Sequence, residues 1–413
     1  MRISLLTYGS RGDVEPFIAL GKGFERAGHS VRLAAPMVFE QLVSTHGIDF
    51  IGLPGDPEGL VQDLVDEAGK NYLRMIRVMS KFVVPIAVGV LDQVNLACEN
   101  TDIIIHSFLL TNAGHEIARE KDVPDFSAQF FPVFSTTSEF PGIVFPDLPL
   151  GNLYRRLTHE FITQTFWQGS RVLYRWLRRS NPHLPPFTNW PFTARNNRRT
   201  PILYAFSPSV LPRPADWGED VHVTGYWFTD HPDWHPPQKL LDFLDSGSTP
   251  IAIAFGSTST RSPERLAKTM LEALALSGHR AVIVGAEDHF SDLPSTVIQL
   301  DSAPYRWLFA KVSAVVHHGG AGTTGTGLMA GVPNVITPFT SDQPFWGHRV
   351  HSLGAGPKPL PAKKLTAQAL AESIICAVDD QKMRTRARAI GEQIRAENGV
   401  LRAIDIVTRY VGG

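Results

Sequence analysis

Apolar residues recur at two spacings in the first fifty residues of the chain. Short runs of adjacent apolar residues predict strands at 3–8, 31–35 and 50–53. Between these runs, apolar positions in residues 13–28 recur at helical spacing, and residues 37–46 predict a second helix. This β-α-β-α-β order predicts parallel strands that are joined by right-handed crossover helices.

The same alternation returns in the second half of the chain. Apolar runs predict strands at 251–255, 281–284, 296–300 and 314–316, with helices between them. Six prolines within residues 208–237 predict a linker zone between two α/β units. We therefore expect two Rossmann-like domains, at residues 1–215 and 216–398, whose ligands lie outside the carboxyl ends of the strands.

The region between residues 55 and 206 is less regular. It predicts helical segments at 59–97 and 111–120 and strands at 103–105, 126–131 and 201–206. Residues 151–179 predict a long helix that combines aromatic side chains with arginines. Proline and tryptophan cluster here and in the linker zone, which predicts long, shaped loops.

Residues 312–343 contain the strongest candidate ligand site. The predicted strand at 314–316 runs into His317-His318-Gly319-Gly320-Ala321-Gly322-Thr323-Thr324, and the next predicted strand precedes Asp342-Gln343. The glycines let the backbone approach a ligand closely, and the helix that starts here offers unpaired N–H groups and partial positive charge. This combination predicts a phosphate site, to which His318 can add a hydrogen-bond donor.

Two common nucleotide-binding motifs are excluded by spacing. No Lys-Ser or Lys-Thr pair follows the glycines, so the stretch is not a P-loop. The turn Gly9-Ser10-Arg11-Gly12-Asp13 lacks the G-x-G-x-x-G spacing as well, which argues against a nicotinamide or flavin site.

Two longer arrays carry a family resemblance. HHGGAGTT at 317–324 continues to SDQPFWGHRV at 341–350, and LLTYGSRGDVEPFIALGKGFERAGHSVRLAAP stands at 5–36. Together they resemble the UDP-glycosyltransferase superfamily, above all the sterol glucosyltransferases and next the antibiotic glycosyltransferases of actinomycetes. The resemblance implies the GT-B fold, in which two Rossmann-like domains face a central cleft and the last helix, here about 399–413, packs back on the first domain.

The resemblance also implies an activity. It is the inverting, metal-independent transfer of a hexose, with UDP-glucose as the expected donor, to a hydroxyl of an apolar acceptor such as a sterol or a polycyclic natural product. No cofactor is implied, because the UDP-sugar is a co-substrate.

The donor-binding residues are implied by position in the family motifs. His318, Gly319, Gly320, Ala321, Gly322, Thr323 and Ser257 are expected at the diphosphate, Asp342 and Gln343 at the sugar hydroxyls, and the backbone of Ala303, Pro304 and Tyr305 at the uracil edge. Ser10, Arg11 and Gly12 are expected to reach the donor from the first domain. Two departures leave a TDP-sugar donor open. Ser302 stands where many members stack the uracil on a Trp, and Thr326 stands where many place a ribose-binding Glu.

Asp13 and His106 are the catalytic candidates. Asp13 is predicted to begin a helix as its N-cap and also to act as the general base, because transfer needs a group that accepts the proton of the attacking hydroxyl. Many family members have a His near this position, whereas this sequence matches the branch in which the Asp is thought to act. His106 ends a predicted strand, and a contact between His106 and Asp13 is left open.

Composition limits the remaining choices. Hydrophobic residues make up 43% and charged residues 19%, as in a globular protein, and the formal net charge of −1 gives no field that would attract nucleic acid. Cys98 and Cys376 lie in apolar helical contexts and are predicted to be two buried thiols without metal-ligand spacing. We expect no secretory signal and no bilayer-spanning run, and hence a cytoplasmic protein.

Several alternatives stay open at this point. Helix 151–179 either packs against the first domain or forms an apolar acceptor wall whose arginine-rich side makes a peripheral contact with anionic lipid. A nucleotide-sugar epimerase of the same fold is an alternative function, although it needs no acceptor pocket and so leaves the long apolar middle region unexplained. A TDP-sugar-dependent antibiotic glycosyltransferase and a catalytically silent binding subunit are the others. Asp13 and Asp342-Gln343 argue against the silent subunit.

Overall fold

The computed structural model describes residues 1–57, 84–181, 190–192, 199–231, 233–255, 263–285 and 293–412. The chain forms two compact units, each built on a parallel sheet. The first unit comprises Met1–Phe206, Arg213–Thr229 and Asn398–Gly413, and the second comprises Ser207–Pro212 and Asp230–Glu397.

The first unit contains a seven-stranded sheet with the strand order β3-β2-β1-β4-β5-β6-β7. Its strands are β1 (Arg2–Leu6), β2 (Ser30–Pro36), β3 (Asp49–Leu53), β4 (Ile103–His106), β5 (Asp125–Gln129), β6 (Ile202–Tyr204) and β7 (Val221–Val223). Every neighbouring pair is parallel. The central strands are buried on both faces, as their nearly continuous apolar sequence predicts.

Within the described ranges, five helices of the first unit precede its last two strands. They are α1 (Arg11–Arg26), α2 (Glu40–Thr45), α3 (Val84–Ala97), α4 (Thr111–Lys121) and α5 (Gly151–Ser180). Short 3₁₀ turns at Met37–Phe39 and Phe108–Leu110 lead into α2 and α4. The predicted helical segment at 59–97 is described only from residue 84, where it forms α3.

The second unit contains a five-stranded parallel sheet with the order β10-β9-β8-β11-β12. Its strands are β8 (Ile251–Ala254), β9 (Ala281–Val284), β10 (Val297–Leu300), β11 (Val315–His317) and β12 (Asn334–Ile336). Its helices are α6 (Gln238–Asp245), α7 (Pro263–Ser277), α8 (Tyr305–Phe309), α9 (Ala321–Ala330), α10 (Gln343–Ser352), α11 (Ala367–Asp379) and α12 (Gln381–Ala396).

The final helix, α13 (Gly399–Gly412), packs on α1 in the first unit. Gly23 of α1 lies against Val400 and Ile404, and a side chain at Gly23 would collide with both. The first unit also takes in residues after the boundary that we predicted at 215/216, because β7 extends its sheet. The prolines of the predicted linker zone hid this three-residue strand.

Strand order reverses once in each sheet, between β1 and β4 in the first unit and between β8 and β11 in the second. In open α/β sheets, a ligand crevice lies outside the carboxyl ends of the strands at such a reversal. The residues that follow these strands are 7–13 and 107–112 in the first unit, and those from Phe255 and from His318 in the second. The predicted catalytic and phosphate-binding stretches therefore stand at the two positions where this fold places ligands.

Two further observations concern expectations from composition. Cys98 is buried, but Cys376 is exposed, so the prediction of two buried thiols was wrong for Cys376. Its helix, α11, is amphipathic, and Cys376 lies on the outward side. Within the ranges that the structure describes, no helix has both the length and the apolar character needed to cross a bilayer.

Candidate active site

Asp13 is held on the first turn of α1, next to the end of β1. Ser10 donates to Asp13 Oδ2 through its backbone N at 2.8 Å and through its Oγ at 3.0 Å. The helix is therefore capped by Ser10, and Asp13 is its third residue rather than the N-cap that we predicted. Gly9 lies directly against this carboxyl group, and a side chain there would collide with it. The turn thus holds the carboxylate at the carboxyl edge of the first sheet.

The neighbouring residues of the turn form hydrogen bonds within the turn and with the first turns of α1. Thr7 Oγ1 donates to the backbone oxygen of Asp13 at 3.0 Å. Arg11 and Gly12 are exposed, and Arg11 Nε donates to Glu15 Oε1 at 2.8 Å. Whether Ser10, Arg11 and Gly12 contact a donor stays a prediction.

His106 is fully buried at the end of β4, and its hydrogen bond goes to Asp125. His106 Nε2 and His115 Nδ1 lie 2.9 and 3.0 Å from the same oxygen, Asp125 Oδ2. Thr200 Oγ1 lies 3.2 Å from that oxygen as well. Burial alone would raise the pKa of Asp125, but the hydrogen bonds from the two histidines outweigh it and lower the pKa to about 2. This geometry gives His106 a buried partner in the sheet, and its catalytic role stays a prediction.

The glycine turn after β11 is held by His317, which the sequence analysis did not assign. Asn334 Nδ2 donates to the oxygen of Val332 at 2.8 Å, so its Oδ1 is the atom that accepts from His317 Nε2 at 2.9 Å. His317 Nδ1 is then the acceptor for the N–H of Gly319 at 3.1 Å. Burial lowers the pKa of His317 to about 3, which keeps the ring neutral as this arrangement requires. In the sequence, the only feature that pointed to a role for His317 was its position directly before His318.

The predicted diphosphate residues lie on this turn and on the first turn of α9. Gly319 has φ +93°, and a side chain there would lie 2.7 Å from Ile336 Cγ2 and 3.1 Å from the oxygen of Gln343. Gly320 is the N-cap, and Ala321, Gly322 and Thr323 form the first turn. Gly322 is exposed, and an added Cβ would meet no atom of the described residues within 4 Å.

His318 follows β11 directly and is half-buried. Burial lowers its pKa to about 4, so the ring is neutral at pH 7. Its Nδ1 is enclosed and has no hydrogen-bond partner in the part of the chain that the structure describes. A hydrogen bond to the backbone of Phe255 opposes this shift, so the single N–H of the neutral ring can serve either Phe255 or an anion on the turn.

Asp342 and Gln343 stand at the start of α10, after β12. Asp342 Oδ2 accepts from Trp346 Nε1 at 2.9 Å, and burial raises the pKa of this carboxyl group. Gln343 Oε1 accepts from the backbone N of Phe339 at 2.8 Å. Ser341, just before them, has φ +59°, a strained conformation for a residue other than glycine.

Of the remaining residues that we predicted to bind the donor, three lie within the described ranges and Ser257 does not. Ala303, Pro304 and Tyr305 are half-buried at the start of α8, where Tyr305 stacks on Phe309 with ring centroids 4.8 Å apart. Trp307 packs edge-on against Trp234. Ser257 lies outside the described residues.

An aromatic surface lies beside the carboxyl ends of β4 and β5 in the first unit. Its five half-buried rings come from loops and from α5, and they are Phe108, Phe131, Phe134, Phe166 and Trp190. Phe108 lies 5.3, 5.4 and 4.7 Å from Phe131, Phe134 and Phe166, measured between ring centroids. Phe134 has φ +69°, an unusual conformation for a bulky residue. These rings meet only in the folded chain, so no local pattern announced the cluster.

Two buried amides occur next to this aromatic surface. Asn112 lies one turn after Phe108, is 6% exposed, and has no hydrogen-bond partner for either side-chain atom within the described ranges. Gln129 lies two residues before Phe131 and is fully buried. Its Nε2 donates to Ser127 Oγ at 2.7 Å, while its Oε1 lacks a partner among the described residues. Buried polar groups are rarely left unpaired, so these amides are expected to have a partner beyond the described residues, which can be protein, water or a ligand.

Family models match both units. Residues 3–113 match the glycosyltransferase family 28 N-terminal domain, and residues 268–400 match the C-terminal domain of erythromycin biosynthesis protein CIII-like proteins. The chain is 37% identical to an O-mycaminosyltylonolide 6-deoxyallosyltransferase of Streptomyces fradiae, over 99% of this chain and 97% of that protein. The chain therefore belongs to the same glycosyltransferase family as this deoxyallosyltransferase.

Other similarities agree with this assignment. The glycosyltransferase is 36% identical to a sterol 3-beta-glucosyltransferase of Cryptococcus neoformans, over 99% of its own length but only 27% of that longer protein. The Streptomyces sp. SF2575 glycosyltransferase SsfS6, solved with thymidine diphosphate, shares the fold with a TM-score of 0.66 and 17% identity, over 99% of each chain. The predicted family and the GT-B fold are confirmed, and the protein is a sugar-transferring enzyme.

Proposed function

We propose that this glycosyltransferase moves a hexose from a nucleoside diphosphate sugar to a hydroxyl of an apolar polycyclic acceptor, with inversion at the anomeric carbon and without a metal ion. The acceptor oxygen attacks the anomeric carbon opposite the diphosphate. The bond from that carbon to the diphosphate oxygen breaks, and the hydroxyl proton passes to Asp13. The nucleoside diphosphate leaves with the electron pair of the broken bond.

The binding of the donor sugar nucleotide is supported mainly by Gly322, where no described residue occupies the space that a side chain would fill. Gly319 must be a glycine for reasons internal to the fold, whereas no atom of the described residues lies within 4 Å of the place where a Gly322 side chain would lie. A ligand that comes close to the backbone explains the absence of a side chain there. The free N–H groups of the first turn of α9 and the neutral donor of His318 suit a diphosphate, whose developing charge they stabilise as it leaves.

Asp342 and Gln343 suit the sugar. Because backbone N–H groups bind the oxygen of the Gln343 amide, its NH₂ group is the part left to bind a hydroxyl. Trp346 fixes one oxygen of Asp342, and the other can accept from a hydroxyl. The strained Ser341 places both side chains just past β12.

The aromatic surface suits the acceptor. Five half-buried rings offer apolar area to a fused ring system, and the unpaired amides of Asn112 and Gln129 offer hydrogen bonds to its polar substituents. Relatives named for a sterol and for O-mycaminosyltylonolide as acceptors support this class of compound. An epimerase would have no use for such a surface.

The nucleotide is the least constrained part of the proposal, with UDP as our first choice and TDP as the second. One observation favours TDP. Thr326 Oγ1 is bound to the oxygen of Gly322 at 2.9 Å, so the position that carries a ribose-binding Glu in many family members offers no free polar group here. A thymidine nucleotide lacks the ribose 2′-hydroxyl. Calorimetric titration with UDP and with TDP decides between them.

The general base is tested by Asp13→Asn with Asp380→Asn as its matched control. Both aspartates accept backbone N–H groups at a helix start, but Asp380 caps α12 and is not among the predicted site residues. We expect Asp13→Asn to lower turnover at least about a hundredfold with an unchanged affinity for the nucleoside diphosphate, because a general base contributes about 10²–10⁴ in rate. Asp380→Asn should leave turnover unchanged. Near wild-type turnover of Asp13→Asn would rule out the base.

Stereochemistry and metal dependence are tested separately. Proton NMR of the first product formed should show the anomeric configuration opposite to that of the donor. Turnover should persist after treatment with a chelator. A product that retains the donor configuration, or activity that chelation abolishes and a divalent ion restores, contradicts the corresponding part of the mechanism.

A further inference from the structure

Helix α5 has a buried face and an exposed apolar face on opposite sides. His159, Thr163, Trp167, Tyr174 and Leu177 are buried, and they recur at helical spacing. The side chains on the other side are exposed by 47–70%, and they are Leu153, Leu157, Phe161, Val172 and Trp176. These side chains lie one or more helical turns apart on the same side of α5, so together they form one apolar ridge along the helix. Leu150 and Val144, in the loop before α5, are also exposed, by 62% and 61%.

Arginines continue the same face toward the end of the helix. Arg175 and Arg179 follow Leu157 and Phe161 by about five turns of 3.6 residues each, which places them on the ridge side. Both are exposed, and neither forms an ion pair with another residue of the described ranges. Residues 151–180 contain six arginines and one acidic residue, Glu160, whereas the whole chain has a net charge of −1. Positive charge is therefore concentrated on this helix.

We propose that the exposed face of α5 docks on an anionic lipid bilayer. Leucine and phenylalanine side chains on one face of a helix enter the boundary between headgroups and acyl chains, and arginines on the same face bind the lipid phosphates. A convex ridge of separate apolar side chains suits a fluid surface. The charge of this helix suits anionic headgroups in particular. No helix crosses the bilayer in this mode, so the enzyme rests on its surface.

Docking goes beyond the proposed reaction and does not depend on it. If the acceptor is apolar, as we propose above, it is dissolved in the same bilayer, and a docked enzyme meets it there. The aromatic surface receives Phe166 from α5, so one helix contributes both to that surface and to the docking face.

The experiment is flotation of the full chain with vesicles of phosphatidylcholine alone or mixed with phosphatidylglycerol. We expect binding to the anionic vesicles, weak binding to the neutral ones, and loss of binding as salt is raised. The double variant Leu153→Glu/Leu157→Glu should lose at least about tenfold in affinity for anionic vesicles. Leu276→Glu and Leu401→Glu are matched controls, since these leucines are 56% and 63% exposed elsewhere on the molecule, and they should bind like the wild type.

A second variant tests the charge. Arg175→Glu/Arg179→Glu should lower affinity for anionic vesicles by at least about fivefold per arginine and weaken the salt dependence, while leaving the weak binding to neutral vesicles unchanged. Turnover of a water-soluble acceptor should be normal in both double variants, so a failure of docking is distinguishable from a failure of the proposed reaction.

Three results would overturn the proposal. One is equal binding of the wild type to neutral and anionic vesicles, and another is equal binding of the wild type and Leu153→Glu/Leu157→Glu. The third is concentration-dependent dimerisation in sedimentation velocity that the leucine variant abolishes, because the ridge would then be a contact between two copies of the chain.

Discussion

The glycine turn after β11 and the aromatic surface beside β4 and β5 both lie where strand order reverses, but they are built in opposite ways. In the turn, His317 and Asn334 bind each other and the backbone, so the polar atoms that shape it are paired. At the aromatic surface, the rings are half-exposed, and the amides of Asn112 and Gln129 keep unpaired atoms within the described ranges. The backbone of the turn is therefore fixed in advance, although His318 Nδ1 and Thr324 Oγ1 lack a partner within the described ranges, whereas at the aromatic surface the unpaired groups are the amides themselves.

This difference follows from what each site is proposed to bind. A diphosphate is the same group in every donor. The backbone that binds it can therefore be rigid before the donor arrives, and affinity is higher because little conformational entropy of the protein is lost on binding. Acceptors differ in shape and in the position of their polar groups. A surface of rings with a few unpaired amides accepts such ligands through apolar contact and then selects among them by hydrogen bonding.

The largest effect should come from breaking the rigid site at Gly319. Gly319→Ala forces a side chain into a left-handed conformation and against Ile336 Cγ2 at 2.7 Å. We expect the free energy of unfolding to fall by about 2–4 kcal/mol, with loss of nucleoside diphosphate binding. Denaturant unfolding and calorimetric titration measure the two effects. A variant with wild-type stability and affinity would show that the turn is less rigid than we infer.

The next effect concerns pH, because His317 holds the turn only as a neutral ring. Its pKa is about 3 in the folded protein, below the ordinary value of 6.5, so acid protonates the unfolded chain first. The contribution of this group to stability is therefore present above pH 6.5 and is lost as the pH falls from 6.5 toward 3. We expect up to about 1.4 kcal/mol of lost stability per pH unit in that window.

The matched variants for this prediction are His317→Gln and His235→Gln. Unfolding free energies at several pH values between 7.5 and 5 should fall less steeply for His317→Gln than for the wild type. His235 is exposed, and its replacement should leave the slope unchanged. Equal slopes for the wild type and both variants would mean that burial of His317 has no part in the acid sensitivity.

The contrast between the two sites also explains what the sequence could predict. The donor turn, its helix and Asp342-Gln343 form one continuous stretch, so pattern and spacing located them together. The aromatic surface draws its rings from positions between Phe108 and Trp190, and only folding brings them together. Asp125 was missed for the same reason, since its partners His106 and His115 lie on other elements of the unit. Strand β7 was missed because prolines dominate its surroundings.

A smaller effect is expected at the aromatic surface, where one ring among five is removed. Phe166→Ala should raise the KM for the acceptor about tenfold, with no change in affinity for the nucleoside diphosphate. Phe161→Ala is its control, since Phe161 lies on the same helix but is 62% exposed and contacts Phe145 instead of the aromatic surface. Steady-state kinetics with a water-soluble acceptor separates the two. An equal rise in both variants would show that α5 affects the acceptor only indirectly.

The smallest effect on stability, and the sharpest test of the contrast, is expected at Gly322. An added Cβ there meets no atom within 4 Å in the part of the chain that the structure describes, and the same is true of Gly169 in α5. Because alanine is a better helix former than glycine, Gly322→Ala and Gly169→Ala should each leave stability unchanged or raise it by up to about 1 kcal/mol. Only Gly322→Ala should weaken nucleoside diphosphate binding in calorimetry, because the new methyl group would stand between the backbone and the phosphates. If both variants bind as tightly as the wild type, the diphosphate does not approach α9 at this residue, and the rigid turn must serve another purpose.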